Sequence, residues 1–369
     1  MEFMLTEEQQ LIEDTVARLL EKQWDPRRDQ ALLSADVARL PLWHELAELG
    51  LLGIALPEEH GGGGMGPVEL TVLCRRFGRD QLRSPFLSSL ILAGAALTCS
   101  PRGALRDQWL RRLAAGEATL TLATLEDGAG YDHHHTAIEG QRCQPGYMLN
   151  GRKRAVMDAA GADAFIVSCR LDGELALVLL APETEGMAVA PYAAFDGSSL
   201  ATLTFNDALL PEEAVLARGA EARAALEAAL AQGALAAAAE TLGACEGALE
   251  RTLDYLRLRE QFGTKLARFQ ALQHRASDLH ADLEMLRSLV SGAAQSLIHE
   301  PSHADAFAAM ALAVPVGDRV CREAIQMHGG IGMTLELGIG RYLLRVNALS
   351  RLLGDATYNG QLYLERMEA

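Results

Sequence analysis

TLTLATLEDGAG (119–130) is the stretch where the chain changes character. Upstream of it, apolar residues recur at helical spacing. Within it, apolar and polar residues alternate until an Asp-Gly step stops the run. GYMLNGRKRAV (146–156), DAFIVSCR (163–170), ELALVLLAP (174–182) and TLTFNDALLP (202–211) repeat the pattern: short apolar runs divided by Gly, Asp, Asn and Pro. That is strand-and-turn patterning, and it predicts a small antiparallel β domain over 118–212.

Helices are expected on both sides. LTEEQQLIEDTVARLLEK (5–22) opens on Thr6, an N-cap residue, followed by Glu7 and Glu8 in the electropositive first turn. Leu11, Ile12, Val16, Leu19 and Leu20 then fall on one helical face. Further helices are predicted over about 41–50, 67–98 and 104–115, and GLLGIALPEEHGGGGMGP (50–67) reads as a loop by its glycines and prolines. Residues 1–117 therefore read as an N-terminal all-α domain. From 213 to about 295, long Ala/Leu/Glu/Arg segments with almost no breakers predict helices. A loop at Pro301, a helix to about 328, a turn at HGGIGMT (328–334) and a final helical segment complete a C-terminal helical domain over 213–369. The class is α+β, in the order α, β, α.

Composition narrows the function. The net charge is 33 − 49 = −16, which offers no counterion release to drive binding to nucleic acid or an anionic membrane surface. Cys74, Cys99, Cys143, Cys169, Cys245 and Cys321 include no Cys-x-x-Cys pair, which favours reduced thiols in a cytosol over a zinc or redox motif. The first residues carry no basic segment followed by an apolar one, and apolar stretches such as 86–97 fall short of the ~20 residues of a membrane span. A cytoplasmic protein with no membrane span is the expectation. Adjacent histidines point in different directions, so His133, His134 and His135 read as a surface loop and no metal is expected.

Five segments in order carry a resemblance to a known family: WHELAELGLLGIALPEEHGGGG (43–64), LEDGAGYD (125–132), LNGRK (149–153), YLRLREQFGTKLARFQALQH (255–274) and QMHGGIGMTLE (326–336). Through them the chain resembles the acyl-CoA dehydrogenase family along essentially its whole length. The resemblance implies an N-terminal all-α domain, a middle antiparallel β domain and a C-terminal four-helix bundle. It also implies FAD at a subunit interface, with the pyrophosphate and adenosine held largely by the neighbouring subunit. Arg259 would then pair with a phosphate through its planar fork. Phe262, three residues on, would share its helix face. Gln270 would offer its amide to the cofactor, and Gln326 with Gly329 and Gly330 would let backbone N–H groups approach where a Cβ would collide. The implied substrate is an acyl-CoA thioester, and the implied electron acceptor is an electron-transfer flavoprotein.

The sequence departs from that pattern on one side of the site. The reaction of the family needs a glutamate placed to remove the α-proton of the thioester. At its usual C-terminal position stands Leu353, and at the alternative position on the long helix stands Gly233. Asp355 lies two residues past the first, turned by about 200° on a helix, and Glu240 lies about 10 Å along the helix from the second. Ala155 and Met157 stand where the family has a Trp and a Thr or Ser against the flavin ring. Thr-Glu-Pro is replaced by Leu125-Glu126-Asp127, a Ser near the substrate by Tyr131, and an Arg near the acyl-CoA by Ala234. The losses fall on the flavin-ring, base and acyl-CoA side, whereas the retained residues serve the ADP half. The chain thus resembles the non-catalytic partner in bacterial α2β2 acyl-CoA dehydrogenases, some of which act on steroid side chains. The alternatives are a self-sufficient flavoenzyme whose base is Asp355, acting as a dimer or tetramer of itself, and a non-enzymatic acyl-CoA- or partner-binding paralogue.

Overall fold

The computed structural model describes residues 5–26, 42–144, 146–299 and 303–368. In chain order the helices are α1 (Glu7–Gln23), α2 (Trp43–Glu48), α3 (Pro67–Asp80), α4 (Gly94–Cys99), α5 (Ala104–Ala114), α6 (Gly219–Leu258), α7 (Gln270–His299), α8 (Ala304–His328), α9 (Gly340–Leu352) and α10 (Ala356–Met367). The strands are β1 (Leu120–Ala123), β2 (Glu139–Arg142), β3 (Gly146–Met157), β4 (Ala164–Leu171), β5 (Glu174–Leu180), β6 (Met187–Ala193), β7 (Ser199–Pro211), β8 (Val215–Arg218) and the short pair β9 (Glu260–Gln261) and β10 (Thr264–Lys265). The α, β, α order follows the sequence reading. Packing gathers the described residues into two compact units.

One unit joins α1 and α3 to the C-terminal helices, from Ala234 onward. Thr6 caps α1 as its sequence requires, accepting from the Gln9 N–H while the Gln9 side chain accepts from the Thr6 N–H. α3 and α6 approach at backbone distance. A Cβ added to Gly243 would lie 1.7 Å from the Arg75 carbonyl oxygen, and one added to Gly78 would lie 2.0 Å from that of Glu240. Only glycine fits either position. On the same helix Glu246 accepts from Arg75 Nε and Arg287 Nη2, each at 2.7 Å, so α3, α6 and α7 share one carboxylate. By length and composition α6 would suffice to cross a membrane, but 94% of its apolar window is buried inside the protein. This corrects the expectation that every apolar stretch is too short, and burial accounts for the Ala/Leu composition of α6.

The second unit contains the sheet with α2, α4 and α5. Its strand order is β6-β7-β3-β2-β4-β5-β8, with β1 added on β4. Pairing is mostly antiparallel, but β4 runs parallel to both β1 and β2. Alternate residues of β4 (Phe165, Val167, Cys169, Leu171) and β7 (Ala201, Leu203, Phe205) enter one buried cluster. Burying a side chain such as Phe165 or Phe205 contributes about 1.5–3 kcal/mol. Register on β3 slips between Lys153 and Val156, and Ala155 occupies that bulge at φ 51°.

Two expected helices are shorter than their apolar patterns. The 67–98 segment breaks after Asp80: Gln81 is left-handed (φ 57°), and Ser84-Pro85 leads into a π-helical stretch, Phe86–Ala93, that merges with α4. The helix expected over 41–50 spans Trp43–Glu48, with residue 41 outside the described residues. The loop expected at Pro301 also lies outside them.

Candidate functional site

The run from 213 to 295 is interrupted where the cofactor residues stand. α6 ends at Leu258, and Glu260-Gln261 pairs with Thr264-Lys265 around a two-residue turn. Phe262 and Gly263 both have positive φ, at 56° and 77°, the conformation a tight right-twisted hairpin requires. Arg259 and Phe262 therefore do not share a helix face, contrary to the spacing argument. The Arg259 N–H donates to the Tyr255 carbonyl at 2.8 Å, and the Leu266 N–H donates to the Arg259 carbonyl at 2.9 Å, closing the base of the hairpin. Phe262 stands at the tip, 90% exposed, with an edge-on contact to the Phe269 ring at 6.2 Å. An aromatic residue held in a left-handed conformation in water is costly for folding, and such positions concentrate at binding sites.

The second segment follows α8. Gln326, Gly329 and Gly330 are all exposed, as are Arg259 and Gln270. Gly329 has φ 69° and ψ −147°, a conformation available essentially to glycine alone. A Cβ added to Gly330 would meet nothing within 4 Å. The collision expected from the sequence does not arise among the described residues, which leaves the space beside Gly330 open. Among the described residues, none engages the side chains of Arg259, Gln270 or Gln326. Tyr255 on α6 and His328 at the end of α8 stack with centroids 4.5 Å apart, joining the roots of the two segments. The six expected residues thus form an open surface: one solvated guanidinium, two amides, an aromatic tip and a glycine turn. That inventory fits a dinucleotide's phosphates and adenosine, with further contacts left for whatever covers the other face.

The positions expected to hold a base are committed elsewhere. Leu353 is buried, and Gly233 lies buried within α6. Asp355 is the N-cap of α10 and accepts from the Tyr358 N–H at 2.9 Å. The Asn359 amide fastens the same turn, donating to the Leu353 carbonyl at 3.1 Å and the Asp355 carbonyl at 3.0 Å. Both oxygens of buried Glu240 are taken by the Arg345 guanidinium, Oε2 by Nη2 at 3.1 Å.

In the sheet unit, LEDGAGYD and LNGRK prove to be two halves of one construction. Three consecutive basic residues of β3 each hold the loop that follows β1. Arg152 pairs with Asp127 at 2.6 Å, Lys153 with Glu126 at 2.6 Å, and Arg154 donates to the carbonyls of Glu126 and Gly130. Lys153 is fully buried and spends its remaining hydrogens on the Thr124 carbonyl and Ser168 Oγ. Burial pulls its ammonium below the usual lysine range, and Glu126 opposes that pull. The second Glu126 oxygen accepts from the Ala137 N–H at 2.8 Å. Sequence reading took these segments separately and missed the pair. Lys153 falls in the inward register of Tyr147 and Leu149, and that register was the available signal. Ala155 and Met157 on β3 offer neither an aromatic ring nor a hydroxyl, so nothing at these two positions fits a flavin ring. The three histidines diverge: His133 Nδ1 lies 2.7 Å from Thr124 Oγ1, His134 Nε2 lies 3.2 Å from Glu227, and His135 is exposed.

Comparison with known proteins identifies the family and the fold. Residues 6–117 match the family model "Acyl-CoA dehydrogenase, N-terminal domain", and residues 222–367 match "Acyl-CoA dehydrogenase, C-terminal domain". The chain is 29% identical to acyl-CoA dehydrogenase FadE27 of Mycobacterium tuberculosis, over 87% of this chain and 86% of that one. Among solved structures, it is similar to the Tcur3481-Tcur3483 steroid ACAD (TM-score 0.88, 29% identity, 98% of each chain). It is also similar to the ChsE4-ChsE5 complex from Mycobacterium tuberculosis (TM-score 0.90, 27% identity, 100% of this chain and 99% of that one).

Proposed function

Because the chain belongs to the acyl-CoA dehydrogenase family, we propose that it is an FAD-associated subunit that lends the ADP-binding half of a cofactor site to a non-identical partner. The partner supplies the flavin-ring contacts and the catalytic glutamate. The carrying observation is a division within the chain. Every residue on the ADP side is exposed and poised, while no carboxylate is available at the positions where the base belongs. The chemistry FAD would supply there is acceptance of the β-hydrogen of an acyl-CoA as hydride, paired with loss of the α-proton to the partner's carboxylate. In this chain, Arg259 would meet phosphate charge through its planar fork. Gln270 and Gln326 would orient the dinucleotide, and the glycine turn would bring backbone N–H groups close. The similarity to a steroid ACAD and to a two-component complex supports a bulky acyl-CoA substrate and a paired assembly. An electron-transfer flavoprotein would reoxidise the flavin.

The visible spectrum of the purified chain tests the proposal. The chain alone should lack flavin absorbance, and co-expression with a homologue carrying an intact Glu-Gly-Thr should yield a yellow complex. A fully flavinylated chain that dehydrogenates an acyl-CoA alone would overturn it and point to Asp355 as base.

A further inference from the structure

The two exposed segments come from different helices, yet both must meet one dinucleotide. Tyr255 lies near the end of α6, half-buried, with its carbonyl holding the Arg259 N–H and its ring stacked on His328 at an interplanar angle of 25°. His328 is the last residue of α8 and is buried. Its Nδ1 lies 2.8 Å from the Ala324 carbonyl, an acceptor, so the imidazole donates from Nδ1 and cannot rotate freely. Burial pushes the imidazole toward its neutral form. Gly332 packs closely at the root of the His328 side chain, since a Cβ there would lie 2.9 Å from His328 Cβ and 2.5 Å from the Ile325 carbonyl oxygen. The contacts run without a gap from Arg259 through Tyr255 and His328 into the glycine turn.

We propose that the Tyr255–His328 stack is a positioning element that sets the separation of the hairpin and the glycine turn, so that both engage the same cofactor. The inference rests on the shared-site reading above. Neither ring is among the residues proposed above to hold the cofactor. Their faces act as a fixed-thickness spacer, so ring shape matters more than the imidazole nitrogens or the phenol hydroxyl. The planar faces resist both closing and sliding, as stacked aromatic pairs do. Without the spacer the hairpin rooted on Tyr255 opens more often and the two segments lose their common register.

The test measures FAD release from the co-purified complex, with four substitutions in this chain. His328→Ala and Tyr255→Ala should release FAD about tenfold faster, the loss expected for one aromatic stack. His328→Phe and Tyr255→Phe should stay within about twofold of wild type. In the isolated chain, His328→Ala should also speed amide exchange across 260–265, on the other side of the stack, while circular dichroism shows the helices intact. A wild-type complex that retains no FAD overturns the shared site and this inference together. A wild-type complex that retains FAD, with His328→Ala retaining it equally well, overturns the positioning role alone. His328→Phe as defective as His328→Ala also overturns it, because the imidazole's hydrogen bond would then be what matters.

Discussion

Replacing Phe262 by Asn separates the cost of the hairpin from its use. A non-glycine residue in the left-handed region costs about 1–2 kcal/mol, and Asn is among the few residues that tolerate it. Phe262 has φ 56° and is 90% exposed, so its replacement relieves strain and sacrifices little burial. What is lost is the edge-on contact with Phe269, whose centroid is 6.2 Å away at 86°. Such a contact contributes about 0.5–1.5 kcal/mol. The two terms oppose each other, so stability should change by less than about 1.5 kcal/mol, or about 2 °C in Tm for a protein of this size. Cofactor binding has no such compensation. An aromatic ring stacked on a base contributes about 1–3 kcal/mol, so FAD affinity in the co-purified complex should fall about 5- to 150-fold. Thermal unfolding of the chain and fluorescence titration of FAD into the apo complex provide the two readings. Unchanged FAD affinity refutes the cofactor role of the hairpin tip, and a fall in Tm beyond about 4 °C refutes the claim that Phe262 is not structural.

Three further outcomes follow from the geometry. Lys153→Met strands the buried Glu126 carboxylate and should cost about 3–5 kcal/mol in urea unfolding, while adding Glu126→Gln should recover much of it; equal losses in the single and double variants would contradict a direct pair. Asp172 is held down to about 2 by Arg142, with Tyr147 and Arg218 also on its carboxylate. Its folded value lies below its unfolded one, so its contribution is full above about pH 4 and disappears as pH falls through about 2. Asp172→Asn should flatten the stability-against-pH curve in that window, and an unchanged slope would refute the assignment. Asp355→Asn keeps an N-cap acceptor, so both stability and the activity of the paired enzyme should stay near wild type. Loss of turnover without loss of stability would instead make Asp355 the base.

The order of helices and strands was legible because apolar period is a local property: Thr6 caps α1, and the 119–211 runs are strands. The hairpin at 259–265 was not, since Phe-Gly lacks the usual Asn-Gly or Asp-Gly signature and lies inside an otherwise helical composition. The break at Gln81–Pro85 left a readable trace in Ser84-Pro85, which the strong apolar run on either side masked. Parallel pairing of β4 with β1 and β2 is a non-local choice with no sequence period of its own. In the proposed site, family motifs pointed to Arg259, Gln326 and the glycine turn, but nothing local signals that Tyr255 and His328 would stack across 73 residues. The capping role of Asp355 and the Glu240–Arg345 pair likewise emerge only once the helices pack.

Counting FAD in the co-purified complex by native mass spectrometry tests the shared site most directly. One FAD for each pair of unlike chains, lost when Arg259 is replaced by Gln in this chain, is the predicted result. One FAD on every chain, or a flavin-loaded homo-oligomer of this chain that dehydrogenates an acyl-CoA, would contradict it.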